Sequence, residues 1–161
     1  MSPRIWLFGT AVLVFVADQV TKAIAVATLS DGGSVRVIDD VLHWTLQRNP
    51  GAAFGIFRRA PVLFTVLAIV IAVAIVWNSP NVRDRLHACA LGLVLGGALG
   101  NLADRLFRPP GPFRGHVVDF IDFRVWPTFN FADSAVVIGA ILLAIASFPG
   151  APARSKDAAS G

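Results

Sequence analysis

Asp119, in Gly115-His116-Val117-Val118-Asp119-Phe120, and Asp133, in Phe129-Asn130-Phe131-Ala132-Asp133-Ser134, sit against the last apolar stretch of a chain otherwise poor in charge. A carboxylate beside lipid is costly, so each acid needs a compensating role. They lie fourteen residues apart, too far for one helix turn, but a loop returning to a helix mouth could join them. Two carboxylates at close range share one proton, because double ionisation is expensive and drives their titrations apart. One acid can then activate water while the other protonates a carbonyl, which is peptide hydrolysis without metal or covalent intermediate. The bland alternatives are a helix N-cap for Asp133 and solvated loop acids for Asp119 and Asp122.

Other chemistries are poorly supplied. The serine and threonine hydroxyls lack a well-placed histidine, so nucleophilic catalysis is not expected. His43, His87 and His116 fall in three separate segments without metal-ligand spacing, and Cys89 alone makes neither a disulfide nor a thiolate site. Neither a metal nor a cofactor is expected, and Cys89 reads as buried packing.

The elements that must position these acids belong to a membrane protein. Of 161 residues, 55% are hydrophobic and only 15% charged, and the mean hydropathy is +0.68. Four stretches could span a bilayer, 5–29, 61–77, 86–103 and 134–148, the last extended by 129–132; a core about 30 Å thick needs about 20 helical residues. The first stretch could be a cleaved signal peptide, but Asp18, Gln19, Thr21 and Lys22 interrupt it, and an ordinary helix fits better. The net charge of +4 is dispersed among loops, which favours lipid headgroups over nucleic acid as partners. An even number of spans puts both termini on one side, although the count of positive residues does not settle which.

Between the first two spans, 35–38 and 42–47 carry β-branched residues in partial alternation around Asp39-Asp40 and predict a small strand pair. Arg48-Asn49-Pro50-Gly51-Ala52-Ala53-Phe54-Gly55 follows, either a turn whose small residues admit close approach or a simple linker. Gly92, Gly96 and Gly100 recur every four residues and predict a helix-packing face. Asn101 and Arg105 extend the third span on one helical face, with Asp104 beside them. The prolines of 108–115 make that segment a surface loop, and the tail from 149 onward reads as disordered.

Span counting alone gathers Asp18, Lys22, Asn49, Asn101, Asp104, Arg105, Asp119, Asn130 and Asp133 at one membrane boundary. A proton-coupled transporter could use such residues, but no acid occupies 61–77 or 135–148, so no relay crosses the bilayer. A noncatalytic assembly protein held by its glycine face is the third reading.

Five blocks, Asp18-Gln19-Val20-Thr21-Lys22, Arg48-Asn49-Pro50-Gly51-Ala52-Ala53-Phe54, Gly96-Gly97-Ala98-Leu99-Gly100-Asn101-Leu102-Ala103-Asp104-Arg105, Val117-Val118-Asp119-Phe120 and Phe129-Asn130-Phe131-Ala132-Asp133-Ser134, resemble in order those of the lipoprotein signal peptidases, signal peptidase II. The resemblance implies an all-α membrane protein of four transmembrane helices with a small extracytoplasmic β-cradle at about 33–57. One peptidase domain would occupy 1–150, with 151–161 a disordered tail. It implies a multi-pass protein of the bacterial inner membrane, both termini cytoplasmic and the active site near the extracytoplasmic face. The activity implied is aspartic endopeptidase cleavage of diacylglyceryl-modified prolipoproteins, on the N-terminal side of the lipidated cysteine. By matching motifs, Asp119 and Asp133 would be the catalytic dyad, while Asp18, Lys22, Asn49, Asn101, Arg105 and Asn130 hold the site or contact substrate. Asp104 would support Arg105 and the helix end. Membrane lipids but no nucleic acid would be partners, and the protein would act as a monomer without cofactor. The 108–115 segment looks longer than the family's usual link between blocks.

Overall fold

The computed structural model describes residues 2–30, 32–51 and 60–147. Ala52, Ala53, the far end of the expected cradle and the 151–161 tail lie outside the described residues.

Apolar composition and few breakers produce four α-helices among the described residues: α1 (Pro3–Leu29), α2 (Ala60–Asn78), α3 (Arg85–Phe107) and α4 (Phe131–Ser147). Pro3 opens α1, where its missing N–H costs nothing. Asp84 caps α3 by accepting from the His87 N–H at 2.9 Å. Among the described residues three helical segments are long and apolar enough to cross a membrane, Pro3–Leu29, Val62–Asn81 and Arg85–Phe107, while Phe131–Ser147 is apolar but shorter. Large apolar side chains such as Leu13, Leu63 and Ile141 point outward, as lipid-facing residues do. Cys89, expected to be buried, is only half-buried.

Helix α3 is the centre, packed against α1, α2 and α4. The glycine face does what its spacing predicts. A Cβ on Gly92 would lie 2.5 Å from the Leu7 carbonyl oxygen of α1, and one on Gly96 would lie 2.6 Å from that of Ala11. Gly97 and Gly139 give α4 the same close approach to α3. Helix α3 also runs past its expected end at 103, because Asp104 and Arg105 are enclosed by protein rather than facing lipid.

Outside the helices lies a three-stranded antiparallel sheet in the order β1-β2-β3, formed by β1 (Ser34–Ile38), β2 (Leu42–Asn49) and β3 (Val117–Asp122). The predicted strand pair is present, and the third strand is an addition. Val117 and Val118 are too short an apolar run to signal a strand alone. They form one because Val118 and Phe120 pack against Ala25 and Leu29 of α1, while β2 supplies the backbone partners. Asp119 therefore stands on a strand rather than in a loop.

Candidate active site

The sheet delivers the first acid. Asp119 is 1% exposed. β2 runs antiparallel to β3 with Asn49 opposite Val117, and the Asn49 Nδ2 donates to Asp119 Oδ2 at 2.9 Å. The Pro50-Gly51 turn fixes that amide: the Gly51 N–H donates to Asn49 Oδ1 at 2.7 Å, with Gly51 at φ 87°, a conformation that disfavours a side chain. Within the described part of that motif, Asn49-Pro50-Gly51, the chain turns and orients the Asn49 amide; the rest of the motif lies outside the described residues.

Helix α4 delivers the second. Asp133 is in its first turn, but the capping residue is Asn130. Asn130 Oδ1 accepts from the Asp133 N–H at 3.0 Å, and Asp133 Oδ2 accepts from the Asn130 N–H at 3.2 Å, the reciprocal arrangement of a capping box. The N-cap role considered for Asp133 thus falls to Asn130, and Asp133 Oδ1 stays available for another contact. The same Asn130 donates through Nδ2 to Asp119 Oδ1 at 2.6 Å, so one buried amide side chain joins both acids. Asn101 of α3 adds a second support, donating through Nδ2 to Asp133 Oδ1 at 2.7 Å and accepting from Asn130 Nδ2 at 3.2 Å.

Beneath this layer is a buried charge cluster. Lys22 Nζ contacts Asp18 Oδ2 at 2.8 Å, Asp104 Oδ2 at 2.8 Å and Asn101 Oδ1 at 2.9 Å. Unpaired, any of these charges would be prohibitively costly away from water; each here is paired and hydrogen-bonded. Asp18 Oδ1 also accepts from the Ala132 N–H at 3.0 Å, satisfying another free amide at the α4 N-terminus. Gln19, not singled out from sequence, bonds both Asp18 at 3.0 Å and the Gly100 carbonyl at 3.1 Å. A Cβ on Gly100 would collide with the Asp18 carboxylate, so the glycine face continues directly into the site.

Arg105 is 8% exposed, and its guanidinium lies over the Phe64 ring of α2 at 5.7 Å. Its Nη1 is buried without a hydrogen-bond partner among the described residues, while Asp119 and Asp133 are close enough to act on its charge. Asp104 supports the Arg105 charge by proximity, as expected, but its hydrogen bonds go elsewhere. It binds Lys22, the Val118 N–H at 3.2 Å and Arg108 at 2.5 Å, because on a helix its i+4 neighbour is Arg108 and Arg105 is merely the next residue. Asp122, by contrast, is partly exposed and accepts from the Arg124 N–H at 2.7 Å, away from the pair.

All eight residues expected at the site therefore fall in one cluster, drawn from β2, β3, α1, α3 and the start of α4. Burial pushes the Asp119 carboxyl up to about 6; the nearby Asp133 acts in the same direction, while hydrogen bonds from Asn49 and Asn130 and the Lys22 charge oppose it. An acid that holds its proton into that range beside a second carboxylate suits proton sharing and water activation.

The chain is similar to known proteins in both sequence and fold. The family model for Signal peptidase (SPase) II matches residues 10–149. The lipoprotein signal peptidase of Mycobacterium tuberculosis (strain ATCC 25618 / H37Rv) is 48% identical over 144 residues, covering 89% of this chain and 71% of the relative. That of Rhodococcus jostii (strain RHA1) is 46% identical over 147 residues, 91% of this chain and 74% of the relative. Among solved structures, a bacterial membrane enzyme determined in meso at 1.9 Å resolution matches with a TM-score of 0.75 and 38% identity, over 88% of this chain and 92% of that one. Another, at 2.3 Å, matches with a TM-score of 0.72 and 40% identity, over 85% and 84%.

Proposed function

Because this chain belongs to the signal peptidase II family, a protease that removes the signal peptide from prolipoproteins, we propose that Asp119 and Asp133 are the catalytic dyad of that cleavage. The observation that carries the assignment is the Asn130 side chain, bonded to Asp119 by its nitrogen and to the Asp133 amide by its oxygen. The acid holding the shared proton polarises the scissile carbonyl, and its ionised partner takes a proton from water as the oxygen attacks. The proton then passes to the leaving amine. Asn49, Asn101 and Asn130 hold the carboxylates, and Asp18 and Lys22 hold Asn101 and the α4 N-terminus. Arg105, with its unpartnered buried Nη1, donates to a backbone carbonyl of the bound substrate.

The substrate is a prolipoprotein already carrying diacylglycerol on its lipobox cysteine, cut on the N-terminal side of that residue. Acids at helix mouths support this reading: the acyl chains stay among lipid while the peptide bond meets water. Helix α4 is the fourth crossing, its 17 residues reaching about 26 Å. With four crossings both termini share one side; the family resemblance makes that side cytoplasmic and turns the site toward the extracytoplasmic side of the inner membrane, and one copy suffices because all eight residues come from a single chain. Incubating the purified protein with a diacylglyceryl prolipoprotein tests the assignment. Release of the signal peptide by the parent, and by neither Asp119→Asn nor Asp133→Asn, is expected; release by either variant removes that acid from the dyad.

A further inference from the structure

We infer that Arg108, the first residue of the proline-rich 108–115 segment, is a positioning residue for the aspartate pair: it locks the Asp104 carboxylate, through which both acids are oriented. The inference rests on the reading of Asp119 and Asp133 as the dyad, and extends it to a residue hydrogen-bonded to neither.

Asp104 is a hub. Arg108 Nε donates to its Oδ1 at 2.5 Å. Its Oδ2 takes Lys22 Nζ at 2.8 Å and the Val118 N–H at 3.2 Å. Val118 immediately precedes Asp119, so the amide bond fixes the position of β3 beside the site. Lys22 passes the constraint to Asn101 at 2.9 Å, and Asn101 passes it to Asp133 at 2.7 Å. One carboxylate thus leads to both acids by separate routes.

Charge pairing supports the arginine's role. The Arg105 charge acts on Asp104 only without a hydrogen bond, so among the described residues Lys22 would otherwise be the one base directly paired with both buried acids, Asp18 and Asp104. Arg108 gives Asp104 a directly paired cation of its own. The proline-rich segment holds it there. The Arg108 N–H caps α3 on the Asp104 carbonyl at 2.9 Å, and the chain folds back so that Gly115 N–H reaches the Arg105 carbonyl and His116 N–H the Pro109 carbonyl, each at 3.0 Å. A Cβ on Gly115 would run into the backbone oxygens of Asp104, Arg105 and Arg108. At its far side the segment is tied to α2, where Thr65 Oγ1 donates to the Phe113 carbonyl at 3.2 Å. The segment therefore anchors the Arg108 backbone, and the Arg108 side chain is 26% exposed.

The test measures kcat and KM of the full-length protein in detergent against a diacylglyceryl prolipoprotein, with folding followed by circular dichroism and gel filtration. Arg108→Gln should lower kcat about ten- to a hundredfold while KM stays within about twofold, the loss expected of one charge-assisted hydrogen bond acting on positioning. Arg108→Lys, keeping charge but not the planar fork, should fall between Gln and parent. Arg114→Gln, in the same segment, should keep the parent kcat. Parent-like kcat in Arg108→Gln, or an equal loss in Arg114→Gln, overturns the inference. If Arg108→Gln does not accumulate, Arg108→Lys decides: reduced kcat at unchanged KM upholds the lock, and parent kcat overturns it. An inactive parent or an active Asp119→Asn would instead defeat the catalytic reading itself.

Discussion

Asn130→Ala probes a residue hydrogen-bonded to both acids. Its fully buried side chain gives Asp119 Oδ1 a bond of 2.6 Å, gives Asn101 one of 3.2 Å and accepts the Asp133 amide at 3.0 Å. A hydrogen bond to an ionised group contributes about 1.5–3 kcal/mol, and a helix cap about 1 kcal/mol. The cap is present throughout the reaction, so its loss lowers stability. The Asp119 bond sets the acid that must change protonation, so its loss lowers kcat/KM, by about ten- to a hundredfold. The Asn130 bond also counts among the influences holding the Asp119 carboxyl down, against the burial that brings it to about 6. Without it that acid releases its proton only at higher pH, and the acidic limb of the pH profile of kcat/KM moves to higher pH. Cleavage of a fluorescent diacylglyceryl prolipopeptide across the pH range, alongside thermal unfolding of the same preparation, reads all three effects. Parent kcat/KM with an unmoved acidic limb would show that Asn130 does not hold Asp119 in the working enzyme.

Asp122→Asn is the control for the dyad variants; partly exposed and bonded to the Arg124 N–H, it should keep cleavage within about twofold of parent in the same assay. Stability should carry the signature of Asp119. Its folded value near 6 lies above the ordinary 3.8, so its contribution favours folding below about pH 4 and is lost as pH rises through about 6, a swing of about 3 kcal/mol. Denaturant unfolding at pH 4 and pH 8 should show that swing shrinking in Asp119→Asn; an unchanged difference would mean the carboxyl is not buried as described. Gly96→Ala should destabilise by about 1–3 kcal/mol, since its Cβ would lie 2.6 Å from the Ala11 carbonyl oxygen. A parent-like melting temperature would argue against that α1–α3 contact.

The sequence by itself determined the membrane class, the helices and the set of candidate site residues. Apolar runs and a four-residue glycine spacing are local signals, and each site residue lies in a short block whose chemistry is visible without coordinates. Span counting even gathered Asp18, Asn49, Asn101, Arg105 and both acids at one end, because antiparallel crossings leave few other arrangements. Tertiary structure decided what local patterns could not encode. β3 is a strand only because α1 covers Val118 and Phe120 and β2 supplies its backbone partners. Asn130, and not Asp133, took the cap, since the reciprocal bonds depend on where α4 begins. Asp104 placed its hydrogen bonds on Lys22, Arg108 and the Val118 amide and reaches Arg105 only through its charge. Each of these outcomes balances a buried charge or backbone group against partners far away in the chain, and desolvation penalises any arrangement that leaves one unmatched. Residue types and spacing thus announced the acids, while the burial that raises Asp119 and the amide that joins it to Asp133 exist only once α1, α3, α4 and the sheet have closed around them.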